Sequence, residues 1–290
     1  MTAEKLCAAY CFAPPPVVAP VLVVIAGKLV IDMVSVRTGG AATAGASVCG
    51  MPEVLRVGAA LPDPPFNSVD DSGLDVELMT AVAEQLGASV EFVRYEGRDF
   101  NGIFDALDSG EFDCVASGTT VTGSRAMKAA FCDPYLISGQ ALAVDTTRLP
   151  DVTSVDDLEG LTIGVQQGNT SQPIANRLLA DGKVARVRVY DYGSIRSALR
   201  DLVGGRCDAF MKLDPVLTRL TESTPDVAVV QRGITTEKIA IAVPTSDTAL
   251  LGRINVAQAT LEDNGTLPSI RQRWTGSPRV DQSGPRSGDL

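Results

Sequence analysis

The sequence predicts an α/β fold built from two successive units, each a mostly parallel sheet flanked by helices. Three observations support this prediction. Short apolar runs such as VLRVGAAL at 54–61 end at turn residues, and GLDVELMTAVAEQLG at 73–87 carries apolar residues at helical spacing. The same strand–loop–helix order begins again at LTIGVQQGNT, residues 161–170. With 290 residues the chain is long enough for two lobes.

The first unit alternates strands and helices up to about residue 139. Its predicted elements are a strand at 54–61, the loop PDPPFNS, a helix at 73–87 that Gly87 ends, a strand at 89–95, a short helix that ends at Gly110, and a strand at 114–118. Ligands of parallel α/β sheets bind at the carboxyl ends of strands. The PDPPF loop and the SGTT turn both fall there.

The second unit repeats this order and leads into a C-terminal helical region. The predicted elements are a strand at 137–145, a capped turn at 153–160, a strand from 161, a helix at 170–182, a strand at 184–192, a helix at 194–205, a strand at 207–213, a strand at 238–247 and a long helix that ends at Gly265. The tail after Gly276 is polar and is expected to be disordered.

The stretch SGTTVTGSRAMKAAFCDPY, residues 117–135, combines a strand end, a Gly- and Thr-rich turn and a short helix. Backbone N–H groups at a helix start attract anions, and the hydroxyls of Thr119, Thr120 and Thr122 can donate to them. Arg125 adds a planar guanidinium that holds a carboxylate through two parallel hydrogen bonds. The stretch therefore indicates a carboxylate site, with an ordinary capped helix bearing a surface arginine as the alternative.

Composition excludes several function classes. The net charge of −10 disfavours nucleic acid and anionic membranes as partners. The chain has no histidine, which removes Ser-His-Asp and Cys-His catalysis and the commonest metal ligand. The six cysteines form no CxxC pair, and Cys114, Cys132 and Cys207 are interpreted as small core residues. We predict no catalytic residue, metal or cofactor.

Residues 1–50 differ in composition from the rest of the chain. The apolar run at 17–31 is interrupted by Pro20 and Lys28 and is too short for a membrane-spanning helix. An Ala-Gly-Ala sequence at 44–46 fits an export-signal cleavage pattern. We prefer an export signal, while a lipid anchor at Cys49 and a mis-set start codon remain open.

Six short motifs follow one another between residues 54 and 276. They are PPF at 64–66, GLDVELM at 73–79, SGTTVTGSR with FCDPY at 117–135, LEGLTIGVQQGNT at 158–170, GGRCDAF at 204–210 and LEDNGTLPSIRQRWTG at 261–276. With these motifs the sequence resembles the extracytoplasmic solute-binding proteins of family 3, the binding components of ABC importers for polar amino acids.

The resemblance implies a periplasmic-binding-protein-like (type II) clamp of two lobes joined by two hinge strands, near 137–144 and 238–243. It divides the chain into a leader at 1–50, a discontinuous first lobe at 51–139 and 237–276, a second lobe at 140–236, and a tail at 277–290. The clamp would close on a free polar or cationic L-amino acid and deliver it to a membrane permease. A monomer outside the cytoplasm is expected.

The resemblance also assigns roles to individual residues. Arg125 matches the arginine that binds the ligand carboxylate, and Gly118 and Thr120 match positions that contact the same group. Thr170 matches a contact from the second lobe. Phe100 matches the wall beside the ligand side chain.

Two positions depart from the family pattern. Asp63 stands where an aromatic residue usually stacks on the ligand, so it either meets a cationic or strongly hydrogen-bonding ligand side chain or caps its loop and faces water. Leu213 stands where the ammonium-binding acid is usual, with Asp214 one residue later. Asp214 either replaces that acid or caps the helix that Pro215 begins, and the two roles are compatible.

An enzyme on the same scaffold is the alternative function. Prephenate dehydratase-like (cyclohexadienyl dehydratase-like) proteins resemble this family and need a general acid shortly after the ammonium-binding acid. The corresponding residues here, Pro215, Val216 and Leu217, are apolar. A cytoplasmic location, which applies if the leader is not a signal, would suit an enzyme better.

Overall fold

The computed structural model describes residues 53–60, 62–68, 70–277 and 279–281, together with the backbone of 24–25 and 28–29. Val24–Ile25 (β1) and Lys28–Leu29 (β2) pair antiparallel. The rest of the leader, including the cleavage pattern and Cys49, lies outside the described residues, so the export signal and the lipid anchor stay predictions. Among the helices that are described, none combines the length and the apolar character of a membrane span.

Twelve further strands and eight α-helices make up the described part of the chain. The strands are Val54–Ala60 (β3), Ser89–Tyr95 (β4), Cys114–Val115 (β5), Ala130–Phe131 (β6), Leu136–Ser138 (β7), Gln140–Asp145 (β8), Thr162–Gln166 (β9), Arg186–Tyr190 (β10), Ala209–Leu213 (β11), Val227–Gln231 (β12), Glu237–Ile239 (β13) and Ala242–Val243 (β14). The helices are Leu74–Leu86 (α1), Gly102–Asp108 (α2), Gly123–Ala126 (α3), Ser171–Ala180 (α4), Ile195–Val203 (α5), Asp214–Thr221 (α6), Thr248–Asp263 (α7) and Thr266–Thr275 (α8).

The strands form two five-stranded sheets, one in each lobe. The first has the order β4-β3-β5-β14-β6 and the second the order β10-β9-β11-β8-β12. In each sheet three neighbouring strands run parallel and the other two pair antiparallel. Four of the five strands in each sheet therefore run in one direction, as predicted for mostly parallel sheets, and β14 and β8 run against them. The chain passes between the lobes twice. The strands that come directly after these two crossings, β8 and β14, are the antiparallel ones.

Several elements lie where the sequence placed them. Strand β4 spans the predicted segment, and α1 ends at Gly87, whose left-handed φ of 71° closes the helix. Ser154 and Asp157 form a capping box on the 3₁₀ turn Val155–Asp157. The strands β6 and β12 had no counterpart among the predictions, whereas α7 and α8 form the predicted C-terminal helical region.

Each lobe buries an apolar core, and the core of the first lobe also includes Leu213 and Val216 from the second. In the first lobe, α1, α7 and α8 pack on a cluster that includes Leu55, Leu78 and Ile254. In the second lobe, two clusters cover the sheet and include Val165 and Phe210. The described cysteines are free and buried, as the core interpretation predicted: Cys114, Cys132 and Cys207.

Two predicted long strands are each divided where the chain passes between the lobes. The segment 137–145 breaks at Gly139 into β7 and β8, and the later segment breaks into β13 and β14. Strands β7 and β13 pair antiparallel, with Glu237 opposite Ser138. Part of the tail also lies here, since the Ile137 N–H donates to the Val280 carbonyl over 2.6 Å.

Gly139 is needed where the two hinge segments touch. The Gln140 N–H donates to Thr235 Oγ1 over 3.0 Å, and the Ile234 N–H donates to the Gln140 carbonyl over 2.9 Å. A Cβ atom on Gly139 would overlap the carbonyl oxygen of Thr235. A glycine therefore lets the two backbones approach each other closely.

We predict that Gly139→Ala lowers the free energy of unfolding by about 1–3 kcal/mol, because backbone has to move to admit the methyl group. The matched control is Gly252→Ala in the exposed middle of α7, where an added Cβ meets no atom within 4 Å. This control should raise stability by about 1 kcal/mol through helix propensity. Urea unfolding of both variants measures the two effects, and a Gly139→Ala variant as stable as wild type would contradict the close hinge contact.

Candidate functional site

A cleft of about 20 Å³ lies between the lobes. This space holds about one water molecule and is far smaller than a ligand pocket. Its described lining residues are Asp63, Phe100, Ser117, Gly118, Thr120 and Arg125 from the first lobe, with Gln140, Asn169, Thr170, Lys212 and Leu213 on the other side. Six of the seven predicted site residues are among them. The seventh, Asp214, does not line the cleft.

The two lobes contact each other directly around this cleft. The Phe100 N–H donates to the Gln167 carbonyl over 3.3 Å, and the Tyr192 N–H donates to the Arg98 carbonyl over 2.8 Å. Gly168, with φ of 78°, lies so near the other lobe that a Cβ atom would overlap Asp99. The structure is therefore a closed form.

Arg125 is a buried cation that connects the lobes. Its Nε donates to Asn101 Oδ1 over 3.1 Å, its Nη1 to the Thr120 carbonyl over 2.9 Å and its Nη2 to the Gly168 carbonyl over 3.0 Å. These bonds use three of the five guanidinium N–H groups. The other two, one on each terminal nitrogen, match the two oxygens of a carboxylate.

The guanidinium keeps its charge despite its burial. Burial lowers the pKa of Arg125 to about 10, while the negative charge of Glu237 opposes that shift. Arg125 also lies against Phe100, with its guanidinium carbon 4.8 Å from the ring centroid. Phe100 in turn contacts Tyr192, at 5.1 Å between ring centroids. Phe100 is thus a wall of the cleft, and at neutral pH Arg125 is a cation available to an anionic group.

Asp75 stabilises the turn before Arg125 through buried hydrogen bonds. Asp75 is fully buried and accepts from the Gly118 N–H over 2.7 Å and from the Tyr135 hydroxyl over 2.6 Å. The Gly118 N–H is therefore occupied within the protein and does not point at a ligand. Burial raises the pKa of Asp75 to about 6, and these hydrogen bonds partly oppose the rise.

Asp63 is paired inside the protein. Its Oδ1 lies 2.9 Å from Lys212 Nζ, and its Oδ2 accepts from the Tyr192 hydroxyl over 3.0 Å. Lys212 also donates to Gln166 Oε1 over 2.7 Å. Asp63 is only 8% exposed, so the structure contradicts the alternative in which it faces water. The sequence did offer a signal, because a lysine inside an otherwise apolar strand requires an acidic partner.

Asp214 lies at the start of α6 and is engaged there. Its Oδ1 accepts from Thr218 Oγ1 over 2.8 Å and from Arg232 Nη1. Leu213 is the N-cap residue, so Pro215 is the second helical residue rather than the first. The structure therefore does not bring Asp214 to the other site residues, although it lies next to Leu213, which does line the cleft.

Glu237 is a site carboxylate that sequence reasoning missed. It is 6% exposed and accepts four hydrogen bonds, from Thr120, Thr170, Gln140 and Thr235, over 2.6, 2.9, 3.0 and 2.9 Å. The predicted hinge strand began one residue later, at Lys238. A single acidic residue at the start of a strand has the sequence pattern of a solvent-exposed residue. The neighbouring sequence therefore did not indicate that Glu237 is buried in the site.

Comparison with known proteins places this geometry in context. Residues 55–277 match the family model of bacterial extracellular solute-binding proteins, family 3. The chain is 27% identical over 236 residues to ABC transporter arginine-binding protein 1 of Escherichia coli (strain K12), covering 77% of this chain and 90% of that protein.

Solved structures agree with the family model. An ancestral arginine-binding protein, solved with arginine and with glutamine bound, has 34% identity and a TM-score of 0.71, over 78% of this chain and 100% of that one. An ancestral amino acid-binding protein, a precursor of cyclohexadienyl dehydratase, has 32% identity and a TM-score of 0.69, over 77% of this chain and 95% of that one.

Asp75 makes stability depend on pH. The folded state binds its proton more tightly than the unfolded state, because the pKa rises from 3.8 to about 6. Between about pH 4 and pH 6 the folded state holds more protons, so stability falls as pH rises through this window. The shift corresponds to a loss on the order of 3 kcal/mol.

The check is urea unfolding of wild type and Asp75→Asn across this range. The variant is expected to be less stable throughout, because an amide cannot accept all the hydrogen bonds that Asp75 accepts, but it should lack this pH-dependent loss. Asp151→Asn, at an exposed carboxylate, should follow the wild-type pH profile. Parallel profiles for wild type and Asp75→Asn would contradict the raised pKa.

Proposed function

The chain belongs to the bacterial extracellular solute-binding proteins of family 3, and from this premise we propose that it captures a free polar L-amino acid between its lobes for an ABC importer. The observation that supports this most directly is Arg125. It is a buried cation at the lobe interface, and two of its N–H groups remain beyond its three protein bonds. An α-carboxylate is the ligand group that this arrangement fits.

Binding and closure are coupled in this proposal. Arg125 already donates to a carbonyl of each lobe, so a carboxylate bound to it is held in the closed cleft. Phe100 packs beside the guanidinium and excludes water. Charge-assisted hydrogen bonds in a desolvated cleft supply the affinity, and closure gives the permease a form to recognise.

The ligand side chain would meet the pair of Asp63 and Lys212. Because Lys212 neutralises Asp63, a cationic side chain has to compete with the lysine ammonium. An uncharged side chain with hydrogen-bonding groups does not meet this repulsion. Within the polar or cationic class, we therefore propose an uncharged polar ligand as the preferred one.

The partners and location follow from the family. The family description is extracellular, which supports a location outside the cytoplasm and a membrane permease as partner. We propose that the chain acts as a monomer, because both halves of the cleft come from one chain.

Transport is a better proposal than dehydratase chemistry. Val216 and Leu217, in the first turn of α6, are fully buried and carry no acid. The acid of that turn, Asp214, is hydrogen-bonded to Arg232 and Thr218. The E. coli relative described above is a binding protein. The dehydratase alternative needs a general acid that faces the cleft from α6, and α6 supplies none.

A thermal-shift screen of the purified protein against L-amino acids and prephenate tests the function. A ligand at about 100 times its dissociation constant should stabilise the fold by about 2.7 kcal/mol, which raises the melting temperature by a few degrees. Arg125→Ala should abolish the shift, and Arg253→Ala, at an exposed arginine of α7, should retain it. A shift with prephenate alone would contradict the proposal, and so would the absence of a shift with every compound of the panel.

Lys212→Met tests ligand choice. The change leaves Asp63 buried without its cation, so the free variant should be less stable by about 3–5 kcal/mol. L-arginine should then gain at least about tenfold in affinity relative to L-glutamine, because its guanidinium can pair with Asp63. Calorimetric titration measures the ratio, with Lys183→Met at an exposed lysine as control. An unchanged ratio would show that Lys212 does not select the ligand side chain.

A further inference from the structure

An ion pair joins the two lobes inside the cleft. Asp63 of the first lobe lies 2.9 Å from the Nζ atom of Lys212, which belongs to β11 of the second lobe. The other oxygen of Asp63 accepts from the hydroxyl of Tyr192, also in the second lobe, over 3.0 Å. The side chains of the pair are only 12% and 2% exposed. Closure of the lobes therefore removes two opposite charges from water and pairs them with each other.

Lys212 is positioned for this contact by its own lobe. Its ammonium group donates to Gln166 Oε1 over 2.7 Å and lies 5.4 Å from the centroid of the Tyr192 ring. The Gln166 amide also donates to the Tyr192 carbonyl, so these three residues form one group within the second lobe. A buried ion pair is stabilising only when further hydrogen bonds satisfy its charges. Gln166 and Tyr192 supply them here, and closure brings Asp63 to a lysine that is already held.

The lobes leave little space between them when this pair is formed. The cleft that Asp63 and Lys212 line has a volume of about 20 Å³, which holds about one water molecule. A free amino acid does not fit into this space. The form that binds a ligand therefore has its lobes further apart, and there the distance between Asp63 and Lys212 is longer. The ion pair and a bound ligand consequently favour different forms of the protein.

We propose that Asp63 and Lys212 form an interlobe latch that holds the free protein closed on itself and has to open before a ligand enters. The latch is an autoinhibitory contact within the chain. Only the unlatched fraction binds, so the apparent dissociation constant equals the intrinsic constant divided by that fraction. The contact of Arg125 across the lobes differs, because its partner there is the neutral carbonyl of Gly168. The inference concerns the free protein and does not depend on which ligand binds.

Amide hydrogen exchange of the free protein tests the latch without any ligand. The N–H groups of Phe100 and Tyr192 each donate to a carbonyl of the opposite lobe, so exchange at these amides requires the lobes to open. Wild type is compared with the double variant Asp63→Asn/Lys212→Met. The double variant removes both charges and leaves neither of them buried without a partner. Both amides should exchange at least about tenfold faster in this variant, since close charge pairs across an interface contribute at least this much.

A second ion pair of the same residue types provides the matched control. Asp156 and Lys183 lie 2.7 Å apart in an exposed contact within the second lobe. Asp156→Asn/Lys183→Met should leave exchange at Phe100 and Tyr192 unchanged. Amides of β8, inside the second sheet, should exchange at the wild-type rate in both double variants, which shows that the fold is intact. Equal exchange of Phe100 and Tyr192 in wild type and in the latch variant would overturn the latch.

Association kinetics with L-glutamine as the probe give a second readout. Contacts between side chains and a ligand act mainly on the dissociation rate, so the association rate reports the fraction of protein that is open to the ligand. Stopped-flow mixing should show association at least about tenfold faster for Asp63→Asn/Lys212→Met than for wild type. Equal association rates at every concentration would overturn the latch. If no amino acid of the thermal-shift panel binds, the proposed function fails, while the exchange measurement still decides whether the latch exists.

Discussion

The buried guanidinium of Arg125 is the constraint on which the cleft depends. A cation in a desolvated interface has to be surrounded by oxygen atoms, and here they come from Asn101, Thr120 and Gly168. Because Gly168 belongs to the opposite lobe, its carbonyl reaches this charge only when the lobes are closed. The fold therefore uses the burial of one charge to connect ligand binding with the approach of its two halves.

The other charges near the cleft are arranged by the same rule. Asp63 from the first lobe is neutralised by Lys212 of β11, and Glu237 is surrounded by four neutral donors. Each buried charge thus has hydrogen-bond partners from more than one part of the fold. An arrangement of this kind discriminates between ligands, because a ligand group that displaces one partner must replace its hydrogen bonds.

The hinge strands act both as the connection and as part of the site. Strands β7 and β13 lie close together because Gly139 has no side chain, and β13 begins with Glu237. The buried carboxylate therefore sits where the chain passes between the lobes, in contact with Thr120 on one side and Thr170 on the other. A change in the lobe angle would alter these contacts, so the hinge and the ligand subsites respond together.

The sequence by itself determined the α/β alternation, most element positions and the anchor of the site, because helical spacing, Gly stops and the turn before Arg125 are local features. The resemblance to family motifs also assigned five further residues to the ligand site, and all five line the cleft: Asp63, Phe100, Gly118, Thr120 and Thr170. Only the tertiary structure decided the partner of Asp63, the engagement of Asp214 with Arg232 and the role of Glu237. These depend on contacts between residues 18 to 149 positions apart, and such pairings arise from how the lobes close, which no local pattern encodes.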